Sequence, residues 1–286
     1  MSGTPRDRLG RFGAWRRSPD VTVGFALGLE QLGYGALWVG GSPAGDLRQI
    51  EELLDATASL TLATGIVNMW NSDAHEVATS FARVQARHAG RFLLGVGAGH
   101  REVTAQYASP YETLEAYVQT LLADGVPAGS LVLAALGPKM LRLAADRTAG
   151  AHPYLVTPEH TRRARELIGP DALLAPEHKV VLEADAERAR SLARPPIASP
   201  YLGMTNYRNS LRRLGWTDDD LDNGGSDALV DALAAHGTPD QVAGRLTEHL
   251  DAGADHVAVQ VIGADEDAVL DTFRRLGPVL GVQGRG

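Results

Sequence analysis

The sequence predicts a (β/α)8 TIM barrel from three observations: short apolar runs alternate with helical patterns, eight such pairs occur, and no shift in composition divides them. At 286 residues the chain suits such a barrel as a single domain over 1–286. Any active site then lies at the C-terminal ends of the strands. A doubly wound sheet is the other architecture this alternation admits.

The first strand falls at about residues 11–15, followed by a helix over 21–32 that ends at Gly33. The second strand, 36–39, leads to a helix over 47–59, and the third, 60–68, to a helix over 73–88. The fourth strand reads Phe92-Leu93-Leu94-Gly95-Val96-Gly97-Ala98-Gly99-His100, an apolar run that passes into alternating glycines and stops on an ionisable side chain. Gly95, Gly97 and Gly99 remove side chains so that a flat ligand can approach the backbone. The spacing departs from Gly-x-Gly-x-x-Gly, because position 100 is histidine. A loop and a helix over 111–123 follow.

The fifth strand is 131–136, and Gly137-Pro138 open its helix with proline in the first turn. The sixth is brief, 150–154, and Thr157-Pro158-Glu159 reads as an N-cap, a first-turn proline and a dipole-favoured carboxylate. The seventh strand is 178–183. The eighth, 256–262, follows an amphipathic helix over 238–252, and a final helix covers 266–280. An insertion of about 195–237 separates the seventh and eighth strands and reads as a helical cap. It holds Asn206, Tyr207 and Asn209, then Asp218-Asp219-Asp220, whose adjacent carboxylates point apart and suit a solvated helix start better than a cation site. A helix over 227–235 completes it.

Composition narrows the function. With no cysteine, disulfides, thiolate metal sites and a cysteine nucleophile are excluded. A net charge of −8, with 27 Lys and Arg scattered rather than striped, argues against a nucleic-acid partner. No apolar run is long enough for a membrane helix, and the basic N-terminus is not followed by the apolar segment of a secretory signal. A cytoplasmic protein acting on a small molecule is the expectation. No Gly-x-Ser-x-Gly elbow supplies an acyl-enzyme nucleophile, and no histidine pair has metal-ligand spacing beside a strand-end carboxylate, so no metal is expected.

Three strand ends carry chemistry. At the third, Gly65-Ile66-Val67-Asn68-Met69-Trp70 turns from apolar to polar and aromatic; Gly65 marks a bulge, and Asn68 and Trp70 either hold a flat heterocycle or finish an ordinary strand exit. After the fifth, Ala135-Leu136-Gly137-Pro138-Lys139-Met140 offers free amides at a helix start and a lysine in the first turn, which is an anion site or a plain turn. After the sixth, Tyr154 packs at the rim or meets a ligand tail. His100, at the mouth, exchanges protons near neutrality or serves as a structural imidazole. Histidines 75, 88, 160, 178, 236 and 249 fall on helices, helix ends or a strand's closed end, where exposure or capping accounts for them, and His256 falls on the N-terminal face.

Several segments together resemble the bacterial luciferase-like superfamily, and more closely its actinobacterial branch of oxidoreductases that use coenzyme F420, a 5-deazaflavin. The carriers include Leu9-Gly10-Arg11-Phe12-Gly13, Gly33-Tyr34-Gly35-Ala36-Leu37-Trp38, Gly90-Arg91-Phe92, Gly137-Pro138-Lys139, Ala252-Gly253-Ala254-Asp255-His256-Val257 and, most specific, His152-Pro153-Tyr154-Leu155-Val156-Thr157-Pro158-Glu159-His160. The resemblance implies a homodimeric barrel with the deazaflavin in its mouth and a non-prolyl cis peptide at Gly65–Ile66 behind the ring. It further implies a coenzyme site of Gly65, Ile66, Val67, Asn68, Gly97, Ala98, Gly99, Ala135, Gly137, Pro138, Lys139, Met140 and Tyr154, with the phosphate at the 135–140 turn. His100 is in register with an acid/base group of some relatives and is the expected catalytic residue. Trp70, Asp46, Tyr107, Asn206 and Tyr207 are the expected substrate pocket. Where many relatives end the second strand with an acidic residue and a histidine, this chain has Gly40-Gly41-Ser42-Pro43. The implied reaction is hydride transfer between the deazaflavin C5 and a small organic substrate. The alternatives are an FMN-dependent monooxygenase of the same superfamily and a non-catalytic deazaflavin carrier.

Overall fold

The computed structural model describes residues 5–99, 109–263 and 266–284. Helix α1 (Pro5–Leu9) precedes β1 (Phe12–Arg17), α2 (Val23–Gln31), β2 (Ala36–Gly40), α3 (Arg48–Ala56) and β3 (Thr61–Gly65). Then come β4 (Val67–Asn68), α4 (Ala74–Arg87), β5 (Phe92–Gly97), α5 (Pro110–Ala123), β6 (Leu131–Leu133), α6 (Pro138–Arg147), β7 (Gly150–Ala151) and α7 (Pro158–Ile168). The remainder is β8 (Leu173–Leu174), β9 (Glu177–Val181), α8 (Ala186–Ala198), α9 (Thr205–Arg213), α10 (Asp218–Leu221), α11 (Asp227–Leu233), β10 (Ala234–His236), α12 (Pro239–Asp251), β11 (Val257–Val261) and α13 (Glu266–Leu280).

All strand pairs described are parallel, and the sheet runs β11-β1-β2-β3-β5-β6-β7-β8. β8 and β9 are two parts of one strand interrupted before Pro176. Ala175 N donates to Ala151 O at 3.0 Å and Glu177 N to Pro153 O at 2.8 Å, while the other edge of β9 pairs with β11. The sheet therefore curls back to β1, and the expected barrel architecture is present. The predicted cap at Thr157 is present, accepting from His160 N; Asp73 also caps its helix, accepting from His75 N and Glu76 N, and Thr217 with Asp220 forms a capping box at the acidic turn.

The insertion differs from expectation in one element. The helix predicted over 227–235 ends at Leu233, and Ala234–His236 pairs with Lys179–Val181 as a short strand. Once the chain leaves β7 after Pro153, that edge of β9 is unpaired, and backbone pairing there outweighs the helix preference of two alanines. The fifth, sixth and seventh strands are also shorter than predicted, since the chain turns away from the sheet soon after Leu133, Ala151 and Val181. The seventh is preceded by the unpredicted β8.

Side chains alternate across the wall as the pleat requires. Leu37, Val39, Leu94 and Val96 pack outward under the helices, while Trp15, Trp38, Ala63, Leu93, Val132 and Ala258 form the buried inner cluster, with Leu9 of α1 in the same cluster. Among the described residues no helix is long and apolar enough to cross a membrane.

Candidate active site

Above the inner aromatic layer, the inward positions of three neighbouring strands are glycine: Gly40 on β2, Gly65 on β3, and Gly95 and Gly97 on β5. The expectation that the β5 glycines clear space for a ligand is corrected. A side chain on Gly95 would collide with the Thr64 carbonyl, one on Gly97 would meet Ala134 Cβ at 2.9 Å and Ile66 Cγ1 at 3.0 Å, and one on Gly99 would strike Asn68. These glycines make room for β3. The register explains why: Leu62 and Ala63 face Phe92 and Leu93, but Val67 and Asn68 face Val96 and Gly97, so β3 carries one extra residue. The extra residue is a bulge at 64–66, in which Thr64 Oγ1 bridges Gly95 N and Gly95 O at 2.8 Å each, and the Gly65–Ile66 peptide is cis as the resemblance implied.

The space beside Gly65 and Gly40 belongs to Trp15. Its indole lies against Gly40 so closely that a Cβ there would overlap the ring. Its Nε1 is 2.8 Å, and His152 Nε2 3.1 Å, from the point where Gly65 would carry a Cβ. Both nitrogens are buried and have no hydrogen-bond partner among the described residues. The chemistry of each is fixed: an indole nitrogen only donates, and His152 Nδ1 faces the Ala175 carbonyl at 2.6 Å, so its proton is on Nδ1 and Nε2 presents a lone pair. Burial holds the His152 imidazole down at about 4, which keeps it neutral. Trp38 stacks on it at 4.0 Å and is itself held by His256, to which its indole donates at 3.0 Å. A donor and an acceptor are thus held rigidly next to one glycine.

A second polar group fills the β9 side of the interior. Lys179 and Glu177 are fully buried, two residues apart on one strand face, with Nζ donating to Oε1 at 3.0 Å. Lys179 also donates to Gln260 Oε1 at 3.3 Å and lies 4.0 Å from the Tyr154 ring centre. The other Glu177 oxygen accepts from Leu155 N at 2.9 Å, and Tyr154 Oη donates to Gln260 at 2.9 Å. Burial raises the Glu177 carboxyl and lowers the Lys179 ammonium, each partly offset by the other. Tyr201 and Tyr207 of the insertion cover this cluster, Tyr201 Oη donating to Tyr154 Oη at 3.3 Å.

The remaining expected residues divide. Gly137 caps α6, Pro138 and Lys139 are exposed in its first turn, Met140 is half-buried, and Leu141 N returns to Gly137 O. Arg213 of α9 brings a guanidinium to 3.9 Å from the Cβ position of Gly137, and among the described residues it has no ion-pair partner. Burial lowers its pKa. Ile66, Ala98, Gly99, Trp70 and Tyr154 are half-buried at the strand ends. Val67 and Ala135 are corrected: both point outward into the core under the helices, as alternation demands of positions between inward ones. Asn68 is buried and holds its own turn, accepting from Trp70 N at 3.0 Å. Asp46 is exposed and occupied at the start of α3, accepting from Arg48 N at 3.1 Å. Asn206 is exposed on α9 while its neighbour Tyr207 is buried, so only Tyr207 reaches the interior. His100 and Tyr107 lie outside the described residues.

Exposure does not account for His160, His178 or His249. His178 and His249 are buried and joined at 2.9 Å, His249 reaches Thr161 at 2.8 Å, and His160 is buried against the Leu136 carbonyl at 3.0 Å. His256 is buried and receives the Trp38 indole proton at 3.0 Å. Among the described histidines only His75, on α4, is well exposed, beside Asp124. Among the described residues no cluster of three or more His, Asp or Glu side chains is arranged to hold a metal.

Sequence reasoning missed Trp15, the role of His152, the Glu177–Lys179 pair and Arg213. Two charges two residues apart in an apolar strand were a readable signal that one barrel face is polar. The Trp15–His152 meeting had no such signal, since it depends on register across three strands.

Comparison with known proteins agrees with this architecture. Residues 124–256 match the family model for luciferase-like monooxygenases. No curated protein matches the chain. Among solved structures, an F420-dependent secondary alcohol dehydrogenase in complex with an F420–acetone adduct superimposes with a TM-score of 0.74 at 14% identity, covering 94% of this chain and 98% of that one. The coenzyme F420-dependent tetrahydromethanopterin reductase from Methanopyrus kandleri gives 0.66 at 17% identity, over 94% and 98%. The oxygenating constituent of 3,6-diketocamphane monooxygenase from Pseudomonas putida, in complex with FMN, gives 0.68 at 13% identity, over 96% and 98%. At these identities the likeness is one of fold, shared by deazaflavin and flavin enzymes alike.

Proposed function

We propose that the chain is an oxidoreductase that binds coenzyme F420 at the mouth of the barrel and exchanges a hydride with a small organic substrate. The observation that carries this reading is the bulge at 64–66, which sets the half-buried Gly65 and Ile66 beside the half-buried Ala98 and Gly99 at the strand ends. A flat heterocycle fits such a place. When bound, the deazaflavin supplies hydride transfer at its C5, so the protein supplies position, dryness and a proton.

The chain's own residues divide that work. Gly65 and Ile66 form the wall of the bulge, and Ala98 and Gly99 lie at the neighbouring strand end. The free amides of Lys139 and Met140, the lysine side chain and Arg213 suit the phosphate of a coenzyme tail. Tyr154, Tyr201 and the insertion cover the β9 side and keep water from it. His100 is assigned the proton exchanged with substrate, on its place in the sequence after β5. A homodimer with a small-molecule substrate, and with neither nucleic acid nor membrane as partner, belongs to the same reading.

The test is a titration of the purified chain with F420 and, separately, with FMN, followed by fluorescence quenching. The expected result is micromolar binding of F420 and much weaker binding of FMN. Tight binding of FMN with none of F420 would replace the cofactor and imply oxygen chemistry instead. With the substrate in hand, His100→Ala is expected to lower turnover by roughly 10²–10⁴ while leaving coenzyme affinity within about twofold.

A further inference from the structure

We infer that Arg17 anchors the negative charge of the substrate, so that the small organic substrate is a carboxylic acid bound as its anion on the β1 side of the mouth. The inference rests on the oxidoreductase reading above and adds to it the class of substrate and the residue that selects it.

Charge and strand direction carry it. Histidine apart, the described strand residues with ionised side chains are Arg16, Arg17, Glu177 and Lys179. Arg16 points out of the barrel, its guanidinium 4.7 Å from the Phe25 ring centre and its Nε donating to Asp20 O at 2.6 Å. Glu177 and Lys179 face inward and neutralise each other at 3.0 Å. Alternation turns Arg17 inward with Trp15, at the last position of β1, where the barrel opens. Its guanidinium has neither an ion-pair nor a hydrogen-bond partner among the described residues, and the residue is exposed, so a ligand can reach it. Arg17 is thus the one charge of the described strand interior that nothing cancels.

Its surroundings select the ligand. β2 ends beside it in Gly40 and Gly41, which bring neither a carboxylate nor a side chain; a Cβ on Gly41 would lie 3.6 Å from Arg17 Cβ. Tyr201 of the insertion is also close. Burial raises that phenol, while the Tyr154 hydrogen bond and the Arg17 charge draw it down, so the guanidinium is within electrostatic reach of the hydroxyl. Around the sheet, β2, β3 and β5 separate β1 from β6 one way, and β7, the β8–β9 strand and β11 the other. Arg17 is therefore across the mouth from the Gly137–Met140 turn to which the coenzyme phosphate is assigned, and it remains for the second reactant. One guanidinium matches one carboxylate in charge and in fork geometry, whereas a dianionic phosphate calls for more donors than this side of the mouth supplies. In a chain of net charge −8, an uncancelled cation at the mouth also draws an anion toward the strand ends.

The test is a calorimetric titration of the intact protein, at neutral pH and low ionic strength, with benzoate and benzamide, butyrate and butyramide, and phenyl phosphate. A titration with F420 runs alongside. In at least one pair the acid is expected to bind about tenfold more tightly than its amide. That preference is expected to fall within about twofold in Arg17→Gln and to survive in part in Arg17→Lys. High salt is expected to weaken the acid and leave the amide unchanged. Equal affinity of acid and amide in both pairs, or no binding of any acid, overturns the inference, as does a preference that persists in Arg17→Gln. Phenyl phosphate binding more tightly than benzoate overturns the carboxylate assignment. A roughly tenfold loss of F420 affinity in Arg17→Gln gives Arg17 to the coenzyme and overturns it too. An acid preference without F420 binding overturns the coenzyme reading and supports the anchor. Arg17 is exposed, so neither variant removes a core contact, and the comparison on wild-type protein is decisive by itself.

Discussion

One barrel interior contains two polar groups on opposite terms. On the β9 side, Glu177, Lys179, Gln260 and Tyr154 satisfy one another almost completely, with hydrogen bonds of 2.9 to 3.3 Å. On the β1–β3 side, Trp15 and His152 are also buried and rigidly held, yet their facing nitrogens have no partner among the described residues. The closed group is what a fold needs to keep charges inside; the open group leaves two buried nitrogens unsatisfied, as His160 Nδ1 and His178 Nε2 also are, at a cost in stability.

The largest expected effect breaks the closed group. Lys179→Met strands a buried carboxylate and is expected to cost about 3–5 kcal/mol of stability by urea unfolding, whereas adding Glu177→Gln to it recovers most of the loss. A Lys179→Met protein within about 1 kcal/mol of wild type would show that the pair is not the electrostatic unit described here.

Acid sharpens the contrast next. Burial keeps His152 and His256 down at about 4 and His178 at about 3, while the same imidazoles in the unfolded chain titrate near 6.5. The unfolded state therefore takes up protons first as pH falls, so stability is full above about 6.5 and declines toward 4. Each histidine contributes a slope on the order of 1 kcal/mol per pH unit. Urea midpoints at pH 7 and pH 5 check this, and equal midpoints would contradict it.

The smallest effect concerns the rim. Arg213→Ala is expected to weaken a phosphorylated coenzyme by about tenfold and a ring lacking the phosphate not at all. Equal losses for both ligands would move Arg213 from the phosphate to the ring.

How much of this was legible in the sequence follows from range. The alternation of strands and helices, the cap at Thr157 and the Gly65 bulge are local and were readable. The glycines of β5 were recognised as special for the wrong reason, because whether a missing side chain makes room for a ligand or for a neighbouring strand depends on cross-strand register. Alternation could have removed Val67 from the site, since it lies between inward-facing positions. Helical geometry could likewise have separated Asn206 from Tyr207. Trp15 and His152, 137 positions apart in the chain, meet only when the barrel closes.

The most direct measurement is a crystal structure of the chain with a 5-deazaflavin bound. The account predicts the ring at the strand ends, against the Gly65–Ile66 bulge and beside Ala98 and Gly99. A ring bound away from that bulge would contradict it.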